Sequence, residues 1–176
     1  MSGHPTGPRT AVVVGNPRAG SRTLAAATTL ARRLVDAEPD LVVDLSELGP
    51  ALLDQQDASV AALVDEIGAA DLVVVASPTY KATYTGLLKL FLDRFAGGVG
   101  LRGVAVPLML GAGAHHALAA ELHLRPLLVE LGAAVPTSAL FVLDHEHDRP
   151  EAYDDWLARS RPLVDPLLTR TTGALA

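Results

Sequence analysis

Two hydroxyl and two guanidinium side chains lie close together near the start of the chain, in the segment GNPRAGSRT (15–23). They are Ser21, Thr23, Arg18 and Arg22, and the segment follows directly on the apolar run TAVVV. If a helix begins here, its first backbone amides lack intrahelical partners and its dipole favours an anion. The segment therefore predicts an anion site, to which the hydroxyls add donors and the arginines add positive charge.

The glycine spacing of this segment, with Ser21 directly after Gly20, is similar to the GxxxxGK[ST] loop that holds nucleotide phosphates. The lysine of that loop reaches the outer phosphates, and here Ser21 occupies its position. We therefore expect the anion to be bound but not transferred. A simpler alternative is that Ser21 is only the N-cap of the helix, with both arginines in solvent.

A second candidate segment, SPTYKATYTG (77–86), follows another apolar run. Pro78 keeps the residue before it extended and removes one backbone amide. The next residues offer backbone and side-chain donors to a planar heterocycle: Thr79, Tyr80 and Lys81. The alternative is an ordinary strand-to-helix turn in which Thr85 caps the following helix.

A third candidate segment, GAGAHH (111–116), also follows an apolar run. Gly111 and Gly113, with Ala112 between them, allow the backbone to approach a flat ligand closely. The segment does not match the GxGxxG fingerprint of dinucleotide-binding proteins, because His116 occupies the sixth position. It therefore supports a ring-binding site only together with the other two segments.

The composition excludes several classes of function. Hydrophobic residues make up 49% of the 176 residues and charged residues 19%, which is typical of one globular domain. The net charge of −6 argues against nucleic-acid binding, which requires a basic surface. The chain has no cysteine, so disulfides, thiolate metal sites and thiol catalysis are excluded. The N-terminus lacks the apolar stretch of a signal peptide, and we expect a cytoplasmic protein.

Apolar runs and helical spacing alternate along the chain. The runs predict five buried parallel strands, at 10–15, 41–45, 71–77, 103–110 and 138–143. Helices are predicted between and after them, at 22–37, 57–70, 86–95, 114–131, and from near Asp148 with an interruption at Pro162.

This alternation predicts an α/β fold in which a parallel sheet carries helices on both faces. A three-layer domain of this length typically has the flavodoxin-like strand order 2-1-3-4-5, with its ligand beyond the carboxyl ends of the strands. The three candidate segments all lie at that edge. We assign 9–172 to a single domain and 1–8, rich in Gly and Pro, to a disordered arm.

Taken together, the three segments resemble the NADPH-dependent FMN reductases, the flavin-supplying half of two-component monooxygenase systems of the alkanesulfonate type. GNPRAGSRT is similar to the family's phosphate loop G-S-P-R-x-x-S-R-T/S, with Asn16 where serine is common. SPTYKATYTGLLK resembles the family's T-P-x-Y-K-A-S-x-S-G-x-L-K segment, and HHALAAELHLRPLLVELGA resembles the helix after the glycine loop. The resemblance covers roughly residues 9–145.

The resemblance implies that NADPH or NADH delivers a hydride to FMN, and that reduced FMN leaves for a partner monooxygenase. Phosphate would be held by the first segment, through Asn16, Arg18, Ser21, Arg22 and Thr23. The ring would be framed by the second and third segments, through Pro78, Thr79, Tyr80, Lys81, Gly111, Ala112 and Gly113. No catalytic side chain is needed, because the flavin carries the chemistry. The sequence does not identify the preferred donor.

One position departs from the family pattern. Some members carry a tyrosine, associated with a local π-bulge and with flavin exchange, where this chain has Leu122. Pro126 independently predicts a disturbed turn, because it cannot donate to the carbonyl of Leu122. We therefore expect the irregular helix without its stacking residue, and the sequence leaves open how tightly the flavin is held.

The predicted helix 86–95 is apolar on most of its circumference, so we expect it to be buried on two sides. We interpret it as part of the core and of a subunit interface, in keeping with the family's dimers and tetramers. A monomer that covers this helix itself is the alternative.

The histidine-rich segment DHEHD (144–148) raises the possibility of a metal site, since His145 and His147 share a face if the segment is extended. A metal site needs three or four converging ligands. The segment is rich in charge, and we interpret it as a solvated loop without a metal.

Two other functions are compatible with the same fold. A quinone or azo reductase would hold FMN tightly and reduce an organic acceptor. A flavodoxin-like electron carrier would not be an enzyme, and such carriers usually flank the flavin with aromatic rings. The aromatic content of 4% argues against the carrier.

Overall fold

The computed structural model describes residues 7–173. Of the predicted arm, residues 1–6 lie outside the described residues, whereas the Pro8 carbonyl accepts a hydrogen bond of 3.2 Å from Thr10 Oγ1. The predicted domain limits, 9–172, stay a prediction. No helix among the described residues is both long and apolar enough to span a bilayer.

Five strands form one parallel sheet: β1 (Thr10–Val14), β2 (Leu41–Asp44), β3 (Leu72–Pro78), β4 (Val104–Gly111) and β5 (Leu140–Leu143). Their order is β2-β1-β3-β4-β5, which confirms the predicted topology. Every residue of β1, β3 and β4 is buried, as expected for strands covered on both faces.

Helices cover both faces of the sheet: α1 (Arg22–Val35), α2 (Ala58–Gly68), α3 (Gly86–Leu92), α4 (Arg125–Glu130) and α5 (Glu151–Gly173). Alternate strand residues point to opposite faces. Val12 and Val14 of β1 pack with α1 and α5, whereas Ala11 and Val13 pack with α2, α3 and α4. The core is therefore two apolar layers separated by the sheet.

The predicted helix 86–95 is shorter than expected, since α3 ends at Leu92. Its core role is confirmed, because Leu88, Phe91 and Phe95 are buried within this chain. Leu87 and Leu90 are only partly buried. The predicted subunit interface on this helix stays a prediction.

The helix predicted over 114–131 is only partly α-helical, and the irregularity expected near Leu122 is confirmed. A 3₁₀ turn (Ala114–His116) and a π-helix (Ala120–Leu124) precede α4. The disturbed turn predicted from Pro126 is confirmed, because Pro126 is the second residue of α4 and the π-helix ends directly before α4. A proline lacks the amide that continues an α-helical ladder, and the π-helical turn accommodates this loss.

The predicted interruption of the last helix at Pro162 is wrong, because α5 continues through Pro162 and Pro166. A proline inside a helix removes one hydrogen bond but leaves side-chain packing in place. Leu157 and Val164, on either side of Pro162, are buried against the sheet. This packing holds the helix together across the missing bond.

Candidate functional site

A cavity of about 360 Å³ lies beyond the carboxyl ends of the strands. The strand ends meet there because β1 is paired in register with β2 and β3, and β4 with β3 and β5. The cavity is lined by Asn16, Arg18, Ala19, Gly20, Ser21, Arg22, Thr23, Pro78, Tyr80 and Asp144. The structure therefore brings the first two predicted segments together around one space.

The loop between β1 and α1, residues 15–23, is held by buried side-chain hydrogen bonds. Asn16 Nδ2 donates to Thr23 Oγ1 at 3.1 Å, and Asn16 Oδ1 accepts from the Arg18 amide at 3.0 Å. Asn16 and Thr23 are both buried. This loop, which we name the phosphate loop, is thus shaped by the protein itself before any ligand binds.

Asp44, the last residue of β2, also shapes the phosphate loop. Its Oδ2 accepts from the Gly20 amide at 3.1 Å, and its Oδ1 accepts from Ser46 Oγ at 2.7 Å and from the Ser46 amide at 3.1 Å. This residue was not predicted from the sequence. An aspartate that ends a strand two residues before a serine is a recognisable turn signal, but nothing local in it points to Gly20, 24 residues away.

Ser21 is the N-cap of α1, and its Oγ accepts from the Leu24 amide at 3.2 Å. The N-cap role is therefore confirmed, while the predicted phosphate contact stays a prediction. The two roles are compatible, because a capping hydroxyl keeps its own hydrogen to donate. The amides of Arg22 and Thr23, in the first turn of α1, have no intrahelical acceptor.

Arg18 and Arg22 line the cavity, and neither makes an ion pair or a side-chain hydrogen bond within the described part of the chain. Both side chains belong to exposed residues. Although the whole chain carries a net charge of −6, these two cations and the helix N-terminus beside them create a local positive field. The field favours an anion at this end of the cavity.

The segment after β3 makes a tight hairpin. The amide of Tyr80 donates to the Thr83 carbonyl at 2.8 Å, and between them Lys81 and Ala82 have φ angles of 52° and 67°. This left-handed backbone is unfavourable for residues other than glycine. The hairpin places Pro78 and Tyr80 on the cavity wall, and Tyr80 is 48% exposed. Thr85 caps α3 through its Oγ1, as the turn alternative predicted.

The segment after β4 contacts the segment after β3 but does not line the cavity. A Cβ atom on Gly111 would lie 2.8 Å from the ring of Phe141 and 3.3 Å from Thr79 Oγ1, so this position is too confined for a side chain. Thr79 Oγ1 is itself buried without a hydrogen-bond partner. Five of the predicted residues therefore do not line the cavity: Thr79, Lys81, Gly111, Ala112 and Gly113.

Asp144 lines the cavity, so the first residue of the segment interpreted as a solvated loop belongs to the ligand space. The residue is partly buried, since the segment turns back as a 3₁₀ helix immediately after β5. His147 Nδ1 lies 3.0 Å from the Asp144 carbonyl oxygen. In the described residues, no three His, Cys, Asp or Glu side chains are grouped to hold a metal ion.

Tyr153 of α5 anchors this segment to the core. Its hydroxyl donates to the His147 carbonyl at 2.5 Å, and its side chain is fully buried. Burial raises the pKa of Tyr153 to about 12, because the charged phenolate would lose its hydration. The tyrosine therefore stays neutral and hydrogen-bonded throughout the neutral range.

The residues around the cavity fit an anionic ligand with a flat body. One end offers helix amides and the guanidinium groups of Arg18 and Arg22, which have no partner among the described residues, and the other side offers a proline, a half-exposed aromatic ring and the Asp144 carboxylate. Among the described residues that line the cavity, no hydroxyl is hydrogen-bonded to a histidine or a carboxylate. The site is suited to holding a reactive group rather than to attacking one.

Comparison with known proteins gives a consistent result. Residues 8–148 match the family model described as NADPH-dependent FMN reductase. An FMN reductase (NADPH) of Pseudomonas aeruginosa is 34% identical over 126 residues, which span 65% of this chain and 66% of that protein. The NADH-dependent FMN reductase SfnF of Pseudomonas putida is 38% identical over 128 residues, 68% of each chain.

Among solved structures, the apo form of the NADH:FMN oxidoreductase EMOB is similar, with a TM-score of 0.78 and 28% sequence identity. The superposition covers 93% of this chain and 89% of that chain. The sequence alignments thus span about two-thirds of the two Pseudomonas relatives, and the structural likeness extends over most of the fold.

Proposed function

The chain belongs to the NADPH-dependent FMN reductase family, and on that premise we propose that it transfers a hydride from NADPH or NADH to FMN. The observation that carries the proposal is the phosphate loop. It combines a helix N-terminus with two arginines that have no ion-pair partner among the described residues, on one wall of a cavity whose other walls are formed by Pro78, Tyr80 and Asp144.

We expect the phosphate loop to hold the phosphate group of FMN. Ser21 and Thr23 would donate from their hydroxyls, together with the amides of the first turn of α1. Arg18 and Arg22 would neutralise the phosphate charge. Asn16 would act from behind, because its amide group already bonds Thr23 Oγ1 and the Arg18 amide.

The ring end is formed by the segments after β3 and β4. Pro78 and Tyr80 would contact the ring from the cavity wall. Thr79 and Lys81 belong to the same hairpin but do not line the cavity, and their contact with the ring stays a prediction. The backbone from Gly111 through Ala112 to Gly113 would border it from the next strand, since the Leu110 carbonyl accepts from the Thr79 amide at 2.6 Å. When bound, FMN would supply the acceptor for the hydride, and these residues would hold its ring.

We also propose that reduced FMN leaves for a partner monooxygenase and that the protein acts in the cytoplasm, where reduced nicotinamide dinucleotides are available. Subunit contacts are proposed as well, in a homodimer or homotetramer. Leu118 and Leu122, on the irregular helix before α4, are exposed by 67% and 61% and offer apolar surface for such contacts. Light scattering on the purified protein measures the assembly.

The test is to follow NADPH and NADH oxidation by flavin-stripped protein while FMN is added. We expect saturable, FMN-dependent turnover, and the two donors are ranked in the same experiment. Riboflavin is the matched control, since it has the same ring but no phosphate. A KM for riboflavin that is roughly a hundredfold higher than for FMN is expected from the loss of the charge-assisted contacts.

Three results would contradict the proposal. Equal KM values for riboflavin and FMN would show that the phosphate loop does not bind phosphate. Bound FMN without any oxidation of either donor would indicate an electron carrier, and faster turnover with a quinone or azo dye than with free FMN would indicate a reductase of organic acceptors.

A further inference from the structure

The carboxylate of Asp144 is the only acidic side chain among the residues that line the cavity. Within the described part of the chain it makes no ion pair and accepts no hydrogen bond. Its acidic neighbours are engaged elsewhere, since Glu146 pairs with Arg149 at 3.6 Å and Asp148 lies 3.9 Å from His147 Nδ1. Asp144 thus presents an unneutralised negative charge to the ligand space.

The position of Asp144 in the sheet separates it from the phosphate loop. The loop follows β1, Asp144 follows β5, and β3 and β4 lie between them. At about 4.8 Å between neighbouring strands, the two strand ends are roughly 14 Å apart. Leu143 is paired with Gly111, so Asp144 follows β5 beside the segment proposed to border the ring. The cavity therefore has cations toward one end and an acid toward the other.

Reduction changes the charge of the flavin ring. The ring of oxidised FMN is neutral, whereas that of reduced FMN carries a negative charge near neutral pH, and neighbouring charges tune such a ring. A carboxylate disfavours a second negative charge nearby. The phosphate is the same in both forms, so the phosphate loop cannot distinguish them. The charge of Asp144 does distinguish them, because it acts on the ring.

We propose that Asp144 weakens the binding of reduced FMN relative to oxidised FMN and thereby favours release of the product. The inference rests on the proposed function and deepens it, because a reductase that supplies flavin to another protein must let go of the reduced form. The carboxylate acts on the ligand directly and does not shape the phosphate loop.

The experiment measures dissociation constants of oxidised FMN by fluorescence and of dithionite-reduced FMN by anaerobic calorimetry. In D144N we expect the affinity for reduced FMN to rise roughly fivefold more than the affinity for oxidised FMN. By linkage, the midpoint potential of bound flavin then becomes about 20 mV more positive relative to wild type. D144E keeps the charge and should retain the wild-type ratio of affinities.

D148N is the matched control, since it removes a charge from the same segment at a residue that does not line the cavity. Its ratio of affinities should equal that of the wild type. If D144N does not fold, D144S tests the same loss of charge in a smaller side chain. An unchanged ratio in the folded variant, or an equal change in D148N, overturns the proposal for Asp144. Failure of the wild type to bind oxidised FMN would instead overturn the proposed function, and this inference with it.

Discussion

The phosphate loop and the opposite side of the cavity differ in how the protein uses its own polar groups. In the phosphate loop, Asn16, Gly20 and Thr23 are bonded to one another or to Asp44. On the opposite side Asp144 lines the cavity, and we name the segments after β4 and β5, residues 111–116 and 144–148, the far wall. Glu146 and His147 of the far wall are bonded within the protein, but other polar groups are not. His116 Nδ1 is buried without a partner, and the Asp144 carboxylate has none among the described residues.

The difference follows the demands of the proposed reaction. The phosphate is the same for oxidised and reduced FMN, so the loop that binds it does not need to adapt. A loop that is rigid before binding also loses less conformational entropy when FMN binds. The ring must change charge and must also admit a nicotinamide. Unsatisfied polar groups in the far wall, and the π-helix that follows residues 111–116 along the chain, allow this side of the protein to respond to such changes.

The largest expected effect comes from the backbone that carries the phosphate loop. Gly15 packs directly on α3, where an added Cβ would meet Leu88 Cβ and lie 2.9 Å from Leu88 Cα. The Gly15 carbonyl also accepts from Thr85 Oγ1 at 2.5 Å. G15A should lower the free energy of unfolding by about 3 kcal/mol, measured by urea denaturation, because loop and helix cannot both keep their positions.

G86A is the control for that substitution. An added Cβ at Gly86, the first residue of α3, meets nothing within 4 Å. This variant should be as stable as the wild type or slightly more stable, since alanine is the better helix former. Equal stability of G15A and wild type would show that the phosphate loop is not held rigidly against α3.

The next effect concerns charge at the phosphate loop. Asp, like Ser, is a good N-cap, so S21D keeps α1 capped while placing a carboxylate where we expect phosphate. The affinity for FMN should fall at least roughly a hundredfold, as measured by fluorescence titration. S21N caps the helix without charge and should lose far less. If S21D binds FMN like the wild type, Ser21 is a cap and nothing more.

The third prediction concerns the hydrogen bonds by which Asp44 holds the phosphate loop without lining the cavity. D44N replaces one of its two acceptor oxygens by a donor, so either the Gly20 amide or Ser46 loses its partner. The affinity for FMN should fall roughly tenfold, with little change in kcat, because the loop is then less ordered before binding.

D40N is matched to it at the opposite end of the sheet. Asp40 Oδ2 accepts from the Thr10 amide at 2.7 Å, at the amino end of β1. We expect a comparable loss of stability but an unchanged FMN affinity. If the two variants weaken FMN binding equally, the effect of Asp44 is general destabilisation rather than positioning of the loop.

The same comparison explains what could be predicted from the sequence. The strands, their order and the phosphate loop were predictable, because buried parallel strands are continuous apolar runs and the loop's residues are contiguous. Asp44 and Asp144 were not, since each contacts the cavity or its loop through sheet geometry that no local pattern reports. Both lie at the carboxyl end of a strand, the one position that topology could have singled out.

The helices were predicted less well for a physical reason. Local signals marked a defect at both Pro126 and Pro162, yet only the first disrupts the helix. Near Pro162 the buried residues Leu157 and Val164 keep α5 continuous. Pro126 also lies between buried residues, Leu124 and Leu128, yet there a π-helical turn takes up the lost hydrogen bond. A proline marks where an α-helical bond is missing, but a single sequence does not display whether the helix continues across the gap or widens its turn.

The smallest effect concerns the anchor of the far wall. Y153F removes the hydroxyl that donates to the His147 carbonyl and should lower the free energy of unfolding by about 1 kcal/mol at pH 8. FMN binding by the phosphate loop should be unchanged. Y84F is the control, because the Tyr84 hydroxyl makes no hydrogen bond within the described residues.

The pH dependence sharpens this last test. The pKa of Tyr153 is about 12 in the folded protein, above its ordinary value of 10.0, so the unfolded chain ionises first as the pH rises. The stabilisation by this tyrosine is therefore complete below pH 10 and is lost between pH 10 and about 12. Wild type should lose on the order of 1 kcal/mol more than Y153F between pH 8 and pH 11, so the two proteins become nearly equal in urea denaturation at the higher pH. A constant difference across that range would mean that the hydroxyl does not hold the far wall to α5 through a buried, neutral hydrogen bond.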